Sequence, residues 1–417
     1  MSQPGFALYD DAQARVVEPF ALTRPFGELR VGGMLLRQRW ERVLGRRALG
    51  FIAAPHLAAF QEFDSPRAAT DELPTGTVIV NSRFAPALDA RVAALKPGHA
   101  LSSGGTVVAV ALVRAMGARV LSAGTTTLDS LVAAPAGELP GWWLTESWDA
   151  IRLLPAMLAA DARVLAGAIA DEPPAQVAVL GEHRFAAARG SYVEPQVVVD
   201  TTHGDVVVET GARIAAFTRL AGPCVIGAHT LVAGGRITCC SIGEHARVSG
   251  EMSVCIVIGH SSKAHDGFVG HSMIGRWVNV GAGTTTSNLK NSYGGVRVRT
   301  ARGELDTGMQ FLGSLIGDHA KLAIGTRLTT GSVVGAGANV FGDHTPDKRV
   351  PPFAWGDRSP FGEYALDKFL VVAEHVMQRR DVALTGGMRE MLAVAWESVR
   401  GKKPARAKGA PKSRRHL

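Results

Sequence analysis

The sequence predicts a mixed α/β domain, followed by a parallel β-helix of six-residue repeats and then by C-terminal helices. Two observations in its middle third carry the β-helix prediction. More than half of the 48 glycines lie between Gly204 and Gly342, and aliphatic residues recur at every sixth position of the same stretch. The glycine excess, with only 6% aromatic residues, excludes a collagen, a disulfide scaffold and a bundle of long helices.

A six-residue period matches neither the 3.6-residue period of a helix nor the two-residue period of an ordinary strand. It is typical of a solenoid whose short strands each place one aliphatic side chain inward and are joined by tight corners. Glycine suits such corners because it adopts positive φ without strain. The periodic residues are Val208, Ile214, Leu220, Ile226 and Val232, then Ile274, Val280 and Thr286, then Ile316, Leu322, Leu328, Val334 and Val340.

The periodicity is interrupted twice. The first interruption falls on Ala264 to His271, and the second begins after Thr286 with the polar segment from Asn288 to Gly295. A solenoid coil can expel a loop without losing its core, and loops held on a rigid scaffold often carry function. We therefore expect a functional site at these two interruptions.

The flanking segments have other patterns. An apolar strand at Thr77–Val80 is followed by Asn81-Ser82-Arg83, and helical periodicity appears at 34–44, 148–169 and 361–399. Pro351-Pro352 is expected to end the repeat. The predicted division is an α/β domain at 1–190, a β-helix at 191–345, a helical segment at 346–400 and a basic tail at 401–417.

The net charge of +8 comes almost entirely from the tail, which holds seven basic residues and no acidic one. We expect the tail to be disordered and solubilising, because it lacks the apolar residues of a core, and we do not expect nucleic-acid binding. The segment from Met1 to Gln13 is polar and has no apolar core of a signal peptide, and no apolar run is long enough for a membrane span. We therefore expect a cytoplasmic protein that does not bind membranes. The four cysteines lack zinc-site spacing, and adjacent Cys239 and Cys240 are interpreted as buried residues, so no protein-bound metal site is expected.

Several motifs together resemble a known family. They are Lys263-Ala264-His265-Asp266-Gly267-Phe268, Val278-Asn279-Val280-Gly281-Ala282-Gly283-Thr284, Asn288-Leu289-Lys290-Asn291, Thr23 to Gly32 and Asn81-Ser82-Arg83. The chain resembles the bifunctional UDP-N-acetylglucosamine pyrophosphorylase/glucosamine-1-phosphate acetyltransferases, and more closely a divergent bacterial branch described as sugar nucleotidyltransferases. The resemblance covers roughly residues 15–375.

The resemblance implies a nucleotidyltransferase-like, Rossmann-like first domain and a left-handed β-helix that assembles as a homotrimer. It implies acetyl-CoA-dependent transfer to an amino-sugar phosphate, with or without nucleotidyl transfer to a sugar 1-phosphate. Mg²⁺ would serve the first domain if that domain is active. Two alternatives stay open: a nucleotidyltransferase whose β-helix is purely structural, and a non-catalytic scaffold that binds a nucleotide sugar.

Acetyl transfer to an amine needs a base, and histidine is the side chain whose ordinary range suits this role. His265 is the first candidate because it lies in a register break, and His271 is the second. Asp266 would either orient His265 or lie on the surface. The candidates for holding the sugar phosphate or CoA are Lys263, His271, Asn288, Lys290 and Tyr293.

The N-terminal domain departs from the family in two ways. It has no glycine-rich phosphate loop, and Asn81 stands where the family has a metal-binding aspartate. In place of that loop we expect Arg24 and Arg30, with Asn81 and Arg83, to contact nucleotide phosphates. Arg37 is expected on the solvent face of a helix.

Overall fold

The computed structural model describes residues 5–134, 136–171, 174 and 176–400. The basic tail expected at 401–417 lies outside these residues. Within them, the N-terminal domain is built on one mixed sheet with three short two-stranded ladders beside it. The sheet order is Ala136–Glu138, Ala100–Ser103, Thr106–Ala111, Val78–Asn81, Phe6–Tyr9 and Ala48–Ile52. The ladders pair Arg30–Val31 with Met34–Leu35, Glu72–Leu73 with Met116–Gly117, and Phe84–Pro86 with Gly141–Trp143.

Two predicted helices are shorter or divided. The first begins at Leu36 and is α1 (Leu36–Leu44), because a tight turn at Gly32 (φ +55°) makes Met34–Leu35 a strand of a small hairpin. The second is split into α2 (Asp149–Arg152) and α3 (Leu154–Gly167). Pro155 lies in the first turn of α3 and has no N–H to continue the preceding helix.

The remaining strands form a parallel β-solenoid of about ten turns, which confirms the predicted fold class. One side is a continuous sheet, here called sheet one. Its strands are Phe185–Ala187, Val206–Val208, Cys224–Ile226, Ser241–Ile242, Ile256–Val257, Met273–Ile274, Ser314–Ile316, Ser332–Val334 and Arg349–Val350.

Sheet two covers the other sides, because the long strands Leu231–Thr238 and Arg247–Ser253 bend around a corner. Its other strands are Ala178–Leu180, Tyr192–Val193, Val198–Asp200, Arg213–Ile214, Thr218–Ala221, Ser262–Lys263, Phe268–Gly270, Asn279–Val280, Lys321–Leu322, Asn339–Val340, Ala354–Trp355 and Gly362–Glu363. A separate pair joins Thr285–Thr286 to Arg327–Leu328.

The solenoid is longer than the expected range 191–345. It begins at Ala178, whose strand pairs in parallel with Val198–Asp200, and it continues beyond Pro351-Pro352 to Trp355. Val350 and Ala354 still belong to its interior core, so the prolines lie at a corner and do not end the stack. The outlying coils were missed because they lack the strict six-residue spacing.

The predicted inward positions are confirmed. Every aliphatic member of the three runs is buried in one core inside the solenoid, with at most 3% of its surface exposed. The repeat fades in the middle because successive coils there are shorter: Ile226 pairs with Ile242, Ile242 with Val257 and Val257 with Ile274.

Sheet one is buried on both faces. Its outward side chains, such as Val207, Val225 and Leu315, pack with Leu154 and Met157 at the start of α3 in a second core. The N-terminal domain therefore lies against one side of its own solenoid. Helices α4 (Leu366–Gln378) and α5 (Gly386–Arg400) then pack on the turn Pro55–Leu57 and complete the contact between the ends of the chain.

One corner of the solenoid carries a ladder of rings, all at left-handed φ between +52° and +60°. Neighbouring rings lie 4.8 to 6.3 Å apart from His229 to His319. The members are His229, His245, His260, Trp277, His319 and Phe353. Glycine occupies the equivalent corner at Gly211 and Gly337, where a Cβ would meet the ring of His229 or Phe353 at 2.3 or 2.4 Å.

Candidate functional site

A cleft of about 530 Å³ lies at the carboxyl ends of two adjacent parallel strands, Phe6–Tyr9 and Val78–Asn81. Asp10 and Asp11 follow the first strand, and Ser82 and Arg83 follow the second. Ligands of α/β proteins commonly bind at this edge, because the loops that leave parallel strands converge there. The predicted residues Asn81 and Arg83 both line the cleft.

Asp11 and Arg83 form the polar floor of the cleft. Arg83 Nη2 lies 2.7 Å from Asp11 Oδ2, and Arg83 Nε lies 2.9 Å from Asp11 Oδ1. Asn81 Nδ2 donates to Asp11 Oδ2 at 3.0 Å. Burial opposes ionisation of Asp11, but the hydrogen bonds and charge of Arg83 outweigh it and lower the pKa of this carboxyl below its usual value. The floor is therefore a fixed ion pair.

Aromatic rings and hydroxyl groups form the walls. The guanidinium of Arg83 lies 5.3 Å from the ring centroid of Trp143, and the Tyr9 hydroxyl donates to Thr126 O at 2.8 Å. Thr125, Thr126 and Thr127 follow a turn at Gly124 (φ +76°), where a Cβ would lie 2.6 Å from Arg15 Nε. The partly exposed Trp143 ring offers a stacking surface and the threonines offer hydroxyl groups, which suit a sugar or a nucleotide.

Asp10 lies behind the cleft and is 2% exposed. It accepts hydrogen bonds from Ser82 Oγ and from Phe26 N, the latter at 3.0 Å. Burial raises the pKa of Asp10 to about 6. This carboxyl ties the ends of the two strands to the turn Phe26–Glu28, so its role is in positioning.

The structure places Arg24 and Arg30 between the two domains. Arg24 is 1% exposed; its Nε lies 2.8 Å from Asp318 Oδ2 and its Nη1 lies 3.1 Å from Glu62 Oε2. Arg30 Nε donates to Ser241 Oγ at 2.7 Å, and its Nη2 donates to Gly33 O at 2.7 Å. Both guanidinium groups thus bind acceptors within the protein, and neither residue lines the cleft.

The expectation that Arg37 faces solvent is wrong. Arg37 is fully buried, and its Nε lies 2.5 Å from Glu28 Oε1 while its Nη2 lies 2.9 Å from Asp64 Oδ1. The reason is tertiary: the helix face that carries Arg37 packs on the turn Phe26–Glu28. The ion pair with Glu28 allows the charge to be buried.

In the solenoid, His265 and Asp266 are exposed at the corner between Ser262–Lys263 and Phe268–Gly270. The structure describes no hydrogen bond between their side chains. Lys263 Nζ donates to the backbone carbonyl of His265 at 2.5 Å, and burial lowers the pKa of Lys263 to about 8. Lys263 therefore holds the backbone that presents His265. The first interruption of the repeat is not an expelled loop, because Phe268–Gly270 pairs with the preceding coil.

The second interruption is an expelled loop that carries the hairpin Arg297–Thr300 and Gly303–Asp306. At its start, Asn288 Nδ2 lies 2.9 Å from His271 Nδ1, and the His271 ring stacks on Phe311 with centroids 5.3 Å apart. Burial lowers the pKa of His271. The structure thus joins two of the predicted residues across the two interruptions.

Lys290 and Tyr293 belong to the same loop. The Lys290 ammonium donates to Gly295 O, and Tyr293 is 68% exposed. These contacts fix the loop locally. They do not bring Lys290 or Tyr293 into contact with His271.

The sequence interpretation missed Asp10, Asp11, Thr125 to Thr127 and Trp143. One signal was present, since two acidic residues directly follow the apolar segment Phe6-Ala7-Leu8-Tyr9. Across the described ranges, no cluster of three His, Cys, Asp or Glu side chains is placed to hold a metal ion. In the same part of the chain, no helix has both the length and the apolar character needed to cross a membrane.

The N-terminal domain is nucleotidyltransferase-like and is joined to a β-solenoid. Residues 6–168 match a family model described as sugar nucleotidyl transferase. The chain is also similar to a bifunctional sugar-1-phosphate nucleotidylyltransferase/acetyltransferase of Sulfurisphaera tokodaii, with 34% identity over 77 residues. That alignment covers 18% of this chain and about a fifth (19%) of the relative. These similarities support the expected transferase of sugar-nucleotide metabolism in general terms.

Proposed function

We propose that the protein is a transferase of sugar-nucleotide biosynthesis with two sites. The N-terminal cleft binds a sugar phosphate or its nucleotide derivative, and the solenoid transfers an acetyl group from acetyl-CoA to an amino-sugar phosphate. The observation that carries the proposal is the cleft at the strand ends, because it falls inside the region that matches the sugar nucleotidyl transferase model. The UDP-N-acetylglucosamine pathway is the specific setting proposed.

The acetyl-transfer site is proposed at His265. Its side chain is exposed at a corner whose backbone is held by the buried Lys263 ammonium, so the imidazole is accessible and its attachment is fixed. His265 accepts the amine proton as the substrate nitrogen attacks the thioester carbonyl. The carbon–sulfur bond then breaks, and CoA leaves as a thiolate that takes up a proton. The name of the partial relative supports this activity.

His271 and Asn288 are proposed to bind the substrate or CoA. When Nδ1 of His271 accepts from the Asn288 amide, the proton of the neutral ring is on Nε2. This nitrogen is then a hydrogen-bond donor for a carbonyl or phosphate oxygen. Lys290 and Tyr293 extend the same polar surface along the expelled loop.

A homotrimer is proposed for the assembly. The outer face of sheet one is already covered by α3 and the rest of the N-terminal domain, so another copy must use a different side. Ile324, Phe341 and Trp355 are exposed apolar residues in the coils of sheet two. Their exposure supports contact with a second copy on that side, and light scattering of the purified chain measures the assembly.

The test is a pair of turnover assays. The purified protein is given acetyl-CoA with glucosamine 1-phosphate, and release of the CoA thiol is followed. In parallel it is given UTP or dTTP with a sugar 1-phosphate and Mg²⁺, and pyrophosphate is followed. We expect thiol release, a loss of about 10²-fold or more in His265→Ala, and an unchanged rate in the control His203→Ala, which alters an exposed histidine elsewhere on the solenoid. Absence of thiol release would overturn the acetyltransferase proposal.

Nucleotidyl transfer is the second candidate, and the family match favours it. Pyrophosphate release without thiol release would support this candidate, with the solenoid then serving assembly. Binding without turnover in either assay would instead support a nucleotide-sugar-binding scaffold.

A further inference from the structure

The polar groups of the cleft do not suit a magnesium site. Nucleotidyl transfer commonly uses Mg²⁺ held by one or two carboxylates together with substrate phosphates. Asp11 is the carboxylate on the cleft floor, and both of its oxygens are engaged. Oδ1 accepts from Ala14 N and Arg83 Nε, both at 2.9 Å, and Oδ2 accepts from Asn81 Nδ2 at 3.0 Å and Arg83 Nη2 at 2.7 Å.

The neighbouring groups do not supply the missing ligands. Asp10 is buried behind the floor and accepts from Ser82 and Phe26. Asp129 is exposed and comes from the opposite wall. Asn81, at the end of its strand, offers an amide in place of a carboxylate. A divalent cation beside Asp11 would also meet the fixed positive charge of Arg83, which repels it.

The same groups suit an anion. A guanidinium has five N–H donors, and the described contacts of Arg83 with Asp11 and Leu144 O use Nε, one donor of Nη2 and one of Nη1. Two donors remain. Arg15 adds a second positive charge behind the Gly124 turn. Its described hydrogen bonds all go to uncharged backbone carbonyls, those of Asp10, Leu121 and Ser122, and these do not neutralise the guanidinium.

We infer that the N-terminal cleft binds its phosphorylated ligand without a divalent metal, the phosphate being held by the free N–H donors of Arg83 and by the hydroxyl groups of Thr125 to Thr127. The cleft is then a recognition site for a sugar phosphate or nucleotide sugar and does not carry out metal-dependent nucleotidyl transfer. This inference rests on the proposed function, which assigns the cleft as the ligand site.

The test is calorimetric titration of the full chain with UDP-N-acetylglucosamine and with glucosamine 1-phosphate, each in EDTA and in MgCl₂. We expect one of these probes to bind with affinities that agree within about twofold in the two buffers. Arg83→Gln is expected to weaken binding at least about tenfold in both buffers, whereas Arg67→Gln, an exposed arginine outside the cleft, leaves it unchanged. Electron paramagnetic resonance of added Mn²⁺ is expected to show no bound ion in the presence of the probe.

A second variant separates loss of binding from loss of fold. Asp11→Asn combined with Arg83→Gln removes both charges, so no buried charge is left without a partner. It is expected to keep the thermal transition and to lose binding. Binding that requires Mg²⁺ or Mn²⁺, or metal-dependent pyrophosphate release, would overturn the inference while leaving the cleft as the ligand site. No binding in either buffer would overturn the assignment of the cleft itself.

Discussion

The guanidinium of Arg24 and the carboxylate of Asp318 form a buried ion pair between the two domains, with Nε and Oδ2 2.8 Å apart. Asp318 also accepts from Thr23 Oγ1 at 2.7 Å and from the backbone N–H of Arg276 at 2.8 Å. A turn near the N-terminus is thus bound to a solenoid corner almost 300 residues later. This contact fixes how the cleft domain is seated on the solenoid.

Removal of Arg24 is expected to destabilise the protein. Arg24→Ala leaves the buried Asp318 without its ion-pair partner and removes one of the two arginines beside Glu62, which keeps Arg276. We expect this to cost about 3–5 kcal/mol. Arg47→Ala is the control, because the Arg47 side chain is 74% exposed and its ion pairs contribute about 1 kcal/mol or less. Urea denaturation measures both. Equal, small losses of stability in the two variants would contradict a stabilising role for the buried Arg24–Asp318 ion pair. A folded Arg24 variant with weaker ligand binding would instead support the predicted contact of Arg24 with a phosphate.

Acid is expected to weaken the fold through the ring ladder. Burial, together with the charge of Arg276 for His260 and of Lys321 for His319, lowers the pKa of both histidines to about 3. As the pH falls below about 6.5 the unfolded chain takes up the protons first, so stability is full above that pH and is lost towards pH 3. Each histidine contributes a slope of about 1.4 kcal/mol per pH unit in this window.

The measurement is the urea midpoint between about pH 5 and 7. Burial raises the pKa of the neighbouring Glu244, but the charge of Arg276 outweighs this effect and lowers it to about 2, so Glu244 stays ionised throughout this range. His260→Asn is expected to flatten the pH dependence, and His203→Asn, at an exposed position, to leave it unchanged. Identical slopes in all three proteins would show that the ladder histidine is protonated in the folded state.

The corners of the solenoid are expected to tolerate an added side chain only where there is room beside it. Gly337 and Gly325 have nearly the same φ, +67° and +68°, so alanine pays a similar backbone cost of about 1 kcal/mol at both. A Cβ on Gly337 would lie 2.4 Å from the Phe353 ring, while Gly325 has nothing within 4 Å. Gly337→Ala should therefore cost about 1–3 kcal/mol more than Gly325→Ala in thermal unfolding. An equal loss would mean that the Phe353 ring moves aside freely.

The cysteines are expected to be unreactive in the folded protein. All four are free and buried, and burial raises the pKa of Cys224 and Cys239 to about 12. The thiolate is the reactive form, so a disulfide reagent such as DTNB should label the native chain very slowly and the denatured chain at all four positions. Fast labelling of a native cysteine would reveal local opening of the solenoid. This low background also allows the same reagent to follow CoA release.

The periodic residues determined the solenoid without help from the structure. A six-residue repeat is a local property, because each aliphatic side chain enters the core of its own coil, as Ile226 and Val334 do. For the same reason the predicted start of the solenoid at residue 191 is too late. Ala178 joins the stack through strand pairing with Val198 and has no repeated motif that the sequence would show. The prediction that Cys239 and Cys240 are buried is also correct, since Cys240 lies in this core and Cys239 in the second core outside sheet one.

The arginines show what only the tertiary structure decided. Arg24, Arg30 and Arg83 look alike in sequence, yet the first two meet Asp318 and Ser241 of the solenoid while the third meets Asp11 across two parallel strands. The role of each guanidinium is set by the acceptors that the fold brings to it, and Asp318, Ser241 and Asp11 lie 294, 211 and 72 residues from their arginines. The sequence alone thus determined the repeating scaffold, whereas the packing of one domain on the other decided which charges hold the fold and which remain in the cleft.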